Sequence, residues 1–470
     1  MTNIKFGTDG WRAIIADTFT NANVARVAQA TALWVKQHYP NPSVVVGHDC
    51  RFGGRMFAQL TARILCQNGV KVFLANNAFV STPMISLATL QLQAGAGVII
   101  TASHNPPDYN GYKLKAHFGG PALPSSIKEV EDLLPQEEVT VANTTLQTYA
   151  EQGLLVYDDM EERYLNHITN KFDLNSIKKA GLTLAYDAMY GAGQRVMQRL
   201  FPDAHLLHCQ YNPSFMGQAP EPIHKNLQEF SQFIAANGSI DLGLATDGDA
   251  DRIGLYDSKG NFVDSHHIIL LAIHYLFKYK HQTGKVVCAF SVSDKFKLLC
   301  QHYGLPYQVT QIGFKYIGEI MVQPGADVLL GGEESGGIAV KGHIPERDGI
   351  WMGLLMLEFM AKTGKTLNQL VQEVYDIVGS FAYDRNDLHL TEALKQSIMS
   401  NCAAGVYTKF DSYTVEKTED IDGFKFHLSP NAVVMIRPSG TEPLLRVYAE
   451  APNQQAVEHV LQSVKQVILG

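Results

Sequence analysis

Residues 44–75 read VVVGHDCRFGGRMFAQLTARILCQNGVKVFLA, and this stretch decides the fold class. The apolar run Val44–Gly47 is followed by the polar, glycine-containing turn HDCRFGG. An amphipathic segment near Met56–Gln67 comes next, and a second apolar run, Val70–Ala75, completes the unit. Strands that alternate with helices in this way predict βαβ units and a mainly parallel sheet.

The same order of segments recurs twice further along the chain. The second copy runs from the strand Leu182–Tyr186 through the turn DAMYGAG and a helix to a strand around His205–His208. The third runs from Val286–Ala289 through SVSD and a helix that ends near Gly304 to the strand Tyr307–Thr310. Three copies predict three similar α/β/α domains with mainly parallel mixed sheets.

The C-terminal stretch has a different pattern, in which two strands flank the segment RPSGTEP and an amphipathic helix follows them. This order predicts a smaller α+β domain. A chain of 470 residues is too long for one hydrophobic core, which agrees with several domains. We predict four domains, at residues 1–150, 151–256, 257–375 and 376–470.

The composition is that of an ordinary globular protein and excludes several classes of partner. The net charge is −8, from 38 basic and 46 acidic residues, and no run of Lys or Arg suggests a nucleic-acid surface. The six cysteines show no C-x-x-C spacing, so neither a zinc site nor a disulfide framework is indicated. The most apolar run, Ile268 to Phe277, is too short to span a bilayer. Because the N-terminal segment also lacks an apolar signal core, we expect a cytoplasmic protein that binds neither nucleic acid nor membrane.

The first of four loops that carry chemistry is TASHNPPDYNGYK, residues 101–113, after the strand Gly97–Ile100. Ligands of open α/β sheets gather beyond the carboxyl ends of strands, and the prolines, asparagines and glycine hold Ser103 at such an end. A turn with a local serine hydrogen bond is the plain alternative. A hydrolase nucleophile is disfavoured because the G-x-S-x-G elbow is absent. His104 need not contact Ser103, since neighbours in an extended segment point apart.

The second loop, DGDADR at 247–252, follows Leu242–Ala245 and places three aspartates at alternate positions. At an effective dielectric near 20, each like-charge pair about 5 Å apart costs about 3 kcal/mol, and three pairs cost about 10 kcal/mol. A cation would relieve this repulsion, and all-oxygen ligands suit Mg²⁺. An EF-hand is excluded because it needs Gly where Arg252 stands and Glu where Ser258 stands. A solvated turn is the remaining alternative.

The third loop, GGEESGG at 331–337, follows the strand Val328–Leu330. Carboxylates and a hydroxyl between glycines suit hydrogen bonds to the hydroxyl groups of a sugar, although a flexible acidic loop has the same pattern. The segment KGHIPERDG lies close behind in the chain and would add positive charge for an anion. Its candidate substrate-binding residues are Lys341, His343 and Arg347.

The fourth loop, RPSGTEP at 437–443, follows the strand Val433–Ile436. The planar guanidinium of an arginine, two hydroxyl groups and an exposed glycine N–H form a compact phosphate site. The residues that would supply these groups are Arg437, Ser439, Thr441 and Gly440. An ordinary hairpin turn is the alternative.

Together and in this order, TASHNP, DGDADR, GEESGG and RPSGTEP resemble the α-D-phosphohexomutase family, which includes phosphoglucomutases and phosphomannomutases. The match runs from GTDGWR at 7–12 to RPSGTEP at 437–443, which is nearly the whole chain. The resemblance implies three similar α/β domains and a smaller fourth domain around a central cleft. In chain order, these domains would supply the phosphoserine, the metal ligands, the sugar contacts and the phosphate grip.

The resemblance also implies a role for individual positions. Ser103 would carry the phosphoryl group and contact a Mg²⁺ ion that is bound by Asp247, Asp249 and Asp251. The residues implied to hold sugar hydroxyls are Glu333 and Ser335. The residues implied to grip the phosphate that is not reacting are Arg437, Ser439, Gly440 and Thr441. The residues that match positions lining the family's catalytic cleft are Arg12, His104, Lys113, Arg252 and Lys315.

Two positions depart from the family pattern. His48 stands in GHDCR where Arg is common, and Gln311 stands in TQIGFK where many relatives have Lys. One phosphate contact is therefore lost from the pattern, and Lys315 would carry more of that work.

The activity implied is the interconversion of hexose 1-phosphate and hexose 6-phosphate, of glucose or mannose, through phosphoserine and a 1,6-bisphosphate. Mg²⁺ is the expected cofactor and hexose 1,6-bisphosphate the expected activator, and His104 and Lys113 are the candidate bases. We expect a small-molecule phosphosugar as partner and a monomer or dimer. A hexose 1,6-bisphosphate synthase or phosphatase and a non-catalytic sugar-phosphate sensor are alternatives. Phosphoglucosamine mutase ranks lower, since that branch tends to show SASHNP and GEQSGH.

Overall fold

The computed structural model describes residues 3–7, 9–438 and 444–470, which form four sheets with their helices. The first sheet has the strand order β1-β5-β4-β2-β3-β6. Its strands are β1 (Trp11–Ile14), β2 (Ser43–His48), β3 (Lys71–Ala75), β4 (Ala96–Ile100), β5 (Tyr109–Ala116) and β6 (Leu155–Asp158). Its helices are α1 (Asn21–His38), α2 (Gly54–Gln67), α3 (Thr82–Gln91), α4 (Pro124–Asp132) and α5 (Leu146–Glu151). Strand β6 pairs with β3, so this sheet extends beyond residue 150.

The second sheet has five strands in the order β11-β10-β9-β7-β8. Its strands are β7 (Leu184–Asp187), β8 (His205–Leu207), β9 (Leu242–Thr246), β10 (Ile253–Tyr256) and β11 (Phe262–Val263). Its helices are α6 (Met160–Lys171), α7 (Leu174–Lys179), α8 (Gln194–Leu200) and α9 (Gln228–Ala236). Short 3₁₀ turns at Phe215–Gly217 and His224–Asn226 precede α9.

The third sheet has four strands in the order β13-β12-β14-β15. Its strands are β12 (Lys285–Ala289), β13 (Tyr307–Thr310), β14 (Val328–Gly332) and β15 (Ile338–Val340). Its helices are α10 (Ser265–His274), which continues as a π-helical segment at Tyr275–Tyr279, α11 (Lys295–Tyr303), α12 (Phe314–Met321), α13 (Gly349–Thr363) and α14 (Leu367–Val378).

The fourth sheet is antiparallel throughout, with the order β16-β21-β20-β19-β18-β17. Its strands are β16 (Ala382–His389), β17 (Lys409–Phe410), β18 (Tyr413–Glu419), β19 (Phe424–Ser429), β20 (Ala432–Pro438) and β21 (Leu444–Ala451). Its helices are α15 (Glu392–Ala403) and α16 (Gln454–Leu469). This is the α+β domain that the C-terminal pattern predicts.

The three repeated units are confirmed as parallel βαβ crossovers. Strand β2 pairs in parallel with β3, β7 with β8, and β12 with β13. Each of these sheets also has antiparallel strands at one edge, so the sheets are mixed. The predicted fold class, three α/β/α domains and a smaller C-terminal α+β domain, is therefore confirmed.

The distribution of apolar residues separates the fourth domain from the first three. One large buried cluster joins the helices α3, α6, α10 and α13 with the sheets of the second and third domains. The fourth domain has its own core between its sheet and the helices α15 and α16. A small apolar cluster of Phe290, Met435 and Tyr448 connects it to the third domain. In the part of the chain that the structure describes, no helix is long and apolar enough to cross a membrane.

Candidate active site

The serine loop of the first domain and the aspartate loop of the second domain are in direct contact. The Ser103 hydroxyl donates a hydrogen bond to Asp247 Oδ2 at 2.8 Å. Both side chains are buried, with 1% of Ser103 and none of Asp247 exposed. The loops follow β4 and β9, so the carboxyl ends of two sheets meet here, as expected for ligand sites in α/β folds. The contact on which the sequence interpretation depends is therefore present.

The backbone of the serine loop is held in an unusual conformation. Ser103 has a φ of 53°, in the left-handed region that a residue with a Cβ rarely adopts. Its N–H donates to Thr101 Oγ1 at 2.9 Å, which turns the chain back on itself. This turn places His104 Nδ1 3.4 Å from Ser103 Oγ, although neighbours in an extended strand would point apart. Strained positions of this kind are common at functional sites.

Arg51, which the sequence analysis left without a role, fixes this loop. Its guanidinium donates to the carbonyl oxygens of Ser103 at 2.7 Å, Asn105 at 2.5 Å, Pro106 at 2.7 Å and Tyr109 at 2.9 Å. The arginine is 1% exposed and comes from the turn after β2, the strand next to β4 in the sheet. Because β2 and β4 are neighbours, the turn HDCRFGG after β2 and the serine loop after β4 lie side by side. This strand order is the feature from which the contact could have been predicted.

The three aspartates of the second loop form the expected acidic cluster. One carboxylate oxygen from each of Asp247, Asp249 and Asp251 lies within 4.8 Å of the others, and all three residues are fully buried. Asp249 Oδ1 and Asp251 Oδ1 have no hydrogen-bond partner among the residues that the structure describes. Buried oxygens without partners are costly, and three carboxylates are hard ligands suited to Mg²⁺. The donor set therefore fits the implied ion.

Two cations neutralise the other side of the acidic cluster. Lys113 Nζ lies 2.7 Å from Asp249 Oδ2, 3.1 Å from Asp251 Oδ2 and 2.9 Å from Asp9 Oδ2. The guanidinium of Arg347 is 3.0 Å from Asp251 Oδ2 and also pairs with Asp9. Buried charges persist only when they are paired in this way.

The acidities of these groups follow from burial and from neighbouring charges. Burial, together with the charges of Asp249 and Asp251, raises the pKa of Asp247 well above its ordinary value. A bound divalent cation would favour the ionised carboxylate. Burial alone would lower the pKa of Lys113, but Asp249, Asp251 and Asp9 together raise it. Lys113 is therefore a protonated donor and cannot accept a proton at neutral pH.

The other predicted cleft residues lie around the serine. Arg12 donates to Asn105 Oδ1 at 2.7 Å, on the loop that carries Ser103. Arg252 Nη1 lies 3.6 Å from Glu221 Oε1, and Arg252 Nε lies 4.0 Å from Asp247 Oδ2. Burial, reinforced by the charges of Arg252 and Arg12, lowers the pKa of His104 well below its ordinary value, so its imidazole is neutral.

Lys315 lines a small cavity on the first domain that also reaches Asp9. Its side chain faces a cavity of about 190 Å³ that Asp9 and Gly10 also line. Asp9 is the carboxylate that joins Lys113 to Arg347. Lys315 thus shares a cavity with Asp9, which pairs with both cations of the cluster.

The third loop, GGEESGG at 331–337, reaches the same centre from the third domain, and we call it the sugar loop after its predicted role. Glu333 Oε1 accepts the N–H of Gly313 at 3.0 Å, and burial raises the pKa of Glu333 to about 7. Gly336 has a φ of 91°, and a Cβ there would lie 2.6 Å from the carbonyl oxygen of Ile253, so only glycine lets this loop pack on β10. Ser335 lines a cavity of about 1290 Å³ between the second, third and fourth domains.

The three candidates from KGHIPERDG are occupied by protein contacts. Lys341 Nζ donates to the carbonyl oxygen of Thr283 at 3.0 Å and pairs with Asp327. The His343 ring is stacked 3.8 Å from the ring of Trp351 and bonded to Asp348 at 2.9 Å and His167 at 3.1 Å. Its side chain is 1% exposed, so the structure places it in the core between α6 and α13 and does not bring it to the cleft. Arg347 is 3% exposed and belongs to the acidic cluster.

Of the fourth loop, the structure describes Arg437, whereas Ser439, Gly440 and Thr441 lie outside the described residues. Arg437 Nε donates to Asp422 Oδ1 at 2.9 Å. Arg385 of β16, which belongs to none of the four sequence motifs, lines the large cavity together with Glu334 and Ser335. A second arginine of the fourth domain therefore lines the same cavity as the sugar loop, on a strand that β21 separates from the strand of Arg437.

Comparison with known proteins identifies the class. Models described as "Phosphoglucomutase/phosphomannomutase, alpha/beta/alpha domain" I, II and III match residues 3–140, 162–260 and 264–378. The model of the C-terminal domain of the same family matches residues 398–467. The chain therefore belongs to the phosphoglucomutase/phosphomannomutase family, the α-D-phosphohexomutases.

Individual relatives match over nearly the whole chain. The phosphoglucosamine mutase of Limosilactobacillus reuteri is 30% identical and aligns over 98% of this chain and 97% of its own. The phosphoglucomutase/phosphomannomutase of Thermococcus kodakarensis is 28% identical over 97% of this chain and 96% of its own. A solved structure from Thermus thermophilus, assigned to the phosphomannomutases, has a TM-score of 0.87 and 32% identity and covers 100% of both chains.

Arg51→Lys is expected to lower the rate of phosphoryl transfer about 100-fold, because an ammonium group cannot reach four carbonyls and a 1 Å shift of a reacting group costs about that factor. The measurement is steady-state turnover, with an unfolding curve for each variant. Arg55→Lys, at an exposed position of the same segment, is the control and should stay within about twofold of the wild type. Wild-type turnover in Arg51→Lys would contradict this role.

Mg²⁺ is expected to raise the melting temperature of the protein, since a ligand at 100 times its Kd contributes about 2.7 kcal/mol of stability. Asp249→Asn is expected to abolish that shift, which a titration by differential scanning fluorimetry would measure. Asp187→Asn changes a buried carboxylate outside the cluster in the same domain and should keep the shift. Equal Mg²⁺ shifts in wild type and Asp249→Asn would refute the metal site.

Proposed function

We propose that this protein interconverts hexose 1-phosphate and hexose 6-phosphate, with glucose or mannose as the sugar, through phosphoserine at Ser103 and a 1,6-bisphosphate. The observation that carries the proposal is the 2.8 Å contact between the Ser103 hydroxyl and Asp247 of the acidic cluster. A serine at this position presents a phosphoryl group to a cation site and to the sugar loop together.

Asp247, Asp249 and Asp251 would hold Mg²⁺, and Ser103 contacts the first of these residues. When bound, the ion would supply positive charge that offsets the negative charge of the transferring group. Lys113 and Arg347 keep the rest of the cluster neutral, and Arg12 and Arg252 supply donors on the serine side.

In the first transfer, the bond between phosphorus and Ser103 Oγ breaks while a hydroxyl oxygen of the sugar bonds to phosphorus. The hydroxyl proton has to reach Ser103 Oγ, so that the products are a sugar bisphosphate and a free serine. We assign this work to His104, because its neutral imidazole lies 3.4 Å from Ser103 Oγ and would accept a proton and return it. Lys113, the other candidate, is held as a cation.

The bisphosphate must then present its other phosphate to Ser103. Glu333 and Ser335 would hold the sugar hydroxyls in both orientations. Arg437, with residues 439–441, would grip the phosphate that is not reacting. Because the fourth domain has a core of its own, it can move relative to the other three while the intermediate turns. Closure also excludes water, which would otherwise hydrolyse the phosphoserine.

Glucosamine phosphate is a second candidate substrate, and the names of the relatives favour it. The proteins of Limosilactobacillus reuteri and Leuconostoc mesenteroides, 30% and 29% identical to this chain, are phosphoglucosamine mutases. The motifs TASHNP and GEESGG favour a sugar without the amino group. Hexose 1,6-bisphosphate as activator, a cytoplasmic setting and a monomer or dimer complete the proposal.

A panel of glucose, mannose and glucosamine 1-phosphates tests the function, assayed for the 6-phosphate with and without added hexose 1,6-bisphosphate. We expect isomerisation of glucose or mannose phosphate, and we expect Ser103→Ala to lower turnover at least about 10⁴-fold because no acceptor oxygen remains. Intact-mass analysis should show one phosphate on the wild type and none on Ser103→Ala.

Ser86→Ala removes another buried serine hydroxyl of the first domain and serves as the matched control, with turnover near the wild-type value. Net formation or loss of bisphosphate without isomerisation would identify a synthase or phosphatase instead. Binding of a sugar phosphate that survives in Ser103→Ala, with no turnover in the wild type, would identify a sensor.

The KM for the sugar phosphate is expected to fall as the pH rises from 6 to 8, because the pKa of Glu333 is about 7. Above that pH the ionised carboxylate accepts sugar hydroxyls in charge-assisted bonds, and below it the protonated form accepts fewer, a difference of about tenfold. Glu333→Gln is always neutral and should show a flatter profile with a raised KM. Since the phosphate of the substrate titrates near pH 6, only the difference between the two profiles reports on Glu333. Parallel profiles would contradict the role of Glu333.

A further inference from the structure

We propose that Asp422 is a positioning residue that ties Arg437 of the fourth domain to the third domain beside the sugar loop, and so holds the cleft closed while phosphate is transferred. The inference builds on the proposed function, in which Arg437 grips the phosphate that is not reacting. Asp422 lies in the turn between β18 and β19, and neither of its partners is a neighbour in the sequence.

The carboxylate of Asp422 has a different partner on each oxygen. Oδ1 accepts the Nε–H of Arg437 at 2.9 Å. Oδ2 accepts the backbone N–H of Ile312, in the loop between β13 and α12 of the third domain, also at 2.9 Å. One side chain therefore orients the phosphate-binding arginine and fastens the fourth domain to the third.

The contact on the third domain is next to the sugar-binding carboxylate. The N–H of Gly313, one residue after Ile312, donates to Glu333 Oε1 at 3.0 Å. Two consecutive amides thus connect Asp422 and Glu333, and a movement of this loop would shift the partners of both. The arrangement connects Arg437, the proposed phosphate ligand, to Glu333, the proposed sugar ligand.

The turn that carries Asp422 is built against Arg437. Gly423 has a φ of 87°, and a Cβ there would lie 2.7 Å from the carbonyl oxygen of Ile436 and 3.0 Å from Arg437 Cβ. Glycine is therefore required for the turn to pack on this part of β20. The side chains of Arg437 and Asp422 are only 17% and 22% exposed, so water screens their attraction less than that of a surface pair.

Other contacts also join the third and fourth domains. They include the apolar cluster of Phe290, Met435 and Tyr448, an ion pair of Lys425 with Asp294 at 3.2 Å, the rings of His266 and Tyr383 3.8 Å apart, and a bond from Tyr383 to the Ser291 carbonyl oxygen at 2.7 Å. The bridge through Asp422 differs from these contacts because it includes Arg437, the proposed ligand of the phosphate. It breaks when the domains part and re-forms on closure, which returns Arg437 to the same orientation in both halves of the reaction.

Asp422→Ala and the shape-preserving Asp422→Asn test the inference, with Asp420→Ala at an exposed position of the same turn as the matched control. We expect KM for the sugar phosphate to rise about tenfold in Asp422→Ala, the effect of losing one charge-assisted hydrogen bond. We also expect the fraction of turnovers that release free bisphosphate to rise severalfold, because an open cleft lets the intermediate escape. Asp420→Ala should match the wild type in both measurements.

Hydrogen exchange of the Ile312 amide supplies a readout that needs no turnover. Protection of this amide should be lost in Asp422→Ala and kept in Asp420→Ala, with or without glucose 6-phosphate. If the wild type isomerises no sugar phosphate, the proposed function fails while this readout still decides whether Asp422 fastens the domains. Wild-type KM and bisphosphate release in both Asp422 variants would overturn the inference. A lowered melting temperature with unchanged KM and release would equally overturn it, since the role would then be structural only.

Discussion

Crowding of three buried carboxylates is the constraint on which this structure depends. Asp247, Asp249 and Asp251 come from one short loop, and they are stable together only because opposite charges surround them. Lys113 arrives from the first domain and Arg347 from the third, so neutralising the cluster requires three domains to meet. The same requirement leaves two carboxylate oxygens for a cation and places Ser103 against Asp247.

The reacting centre and the binding surfaces differ in rigidity for reasons visible in the core. The first three domains share buried apolar contacts, and Arg51 holds the serine loop through four backbone carbonyls, so Ser103, the phosphoryl carrier under the proposed function, has a fixed position. The fourth domain has its own core and joins the third through a small apolar cluster and several polar contacts. A fixed donor combined with a movable phosphate grip suits a reaction whose intermediate must turn around between two transfers.

Under the proposed function, charge also separates the two candidates for proton transfer. His104 and Lys113 are equally good candidates by residue type, and only their surroundings separate them. Three carboxylates keep Lys113 protonated, whereas burial among arginines keeps His104 neutral. The raised pKa of Glu333 has the same origin, since a buried carboxylate loses the water that would stabilise its charge. Under the proposed function, sugar recognition is thereby coupled to pH in the physiological range.

The sequence by itself determined the three βαβ units, the separate C-terminal domain and the four loops, because periodicity and turn residues are local properties. It also singled out Ser103 and the aspartates, whose spacing is contained in short motifs. Tertiary structure alone brought Arg51 and Asp422 to their partners, which include backbone atoms far along the chain. Packing also places His343 in the core against Trp351. A motif shows which groups are present, and only packing shows which way they face.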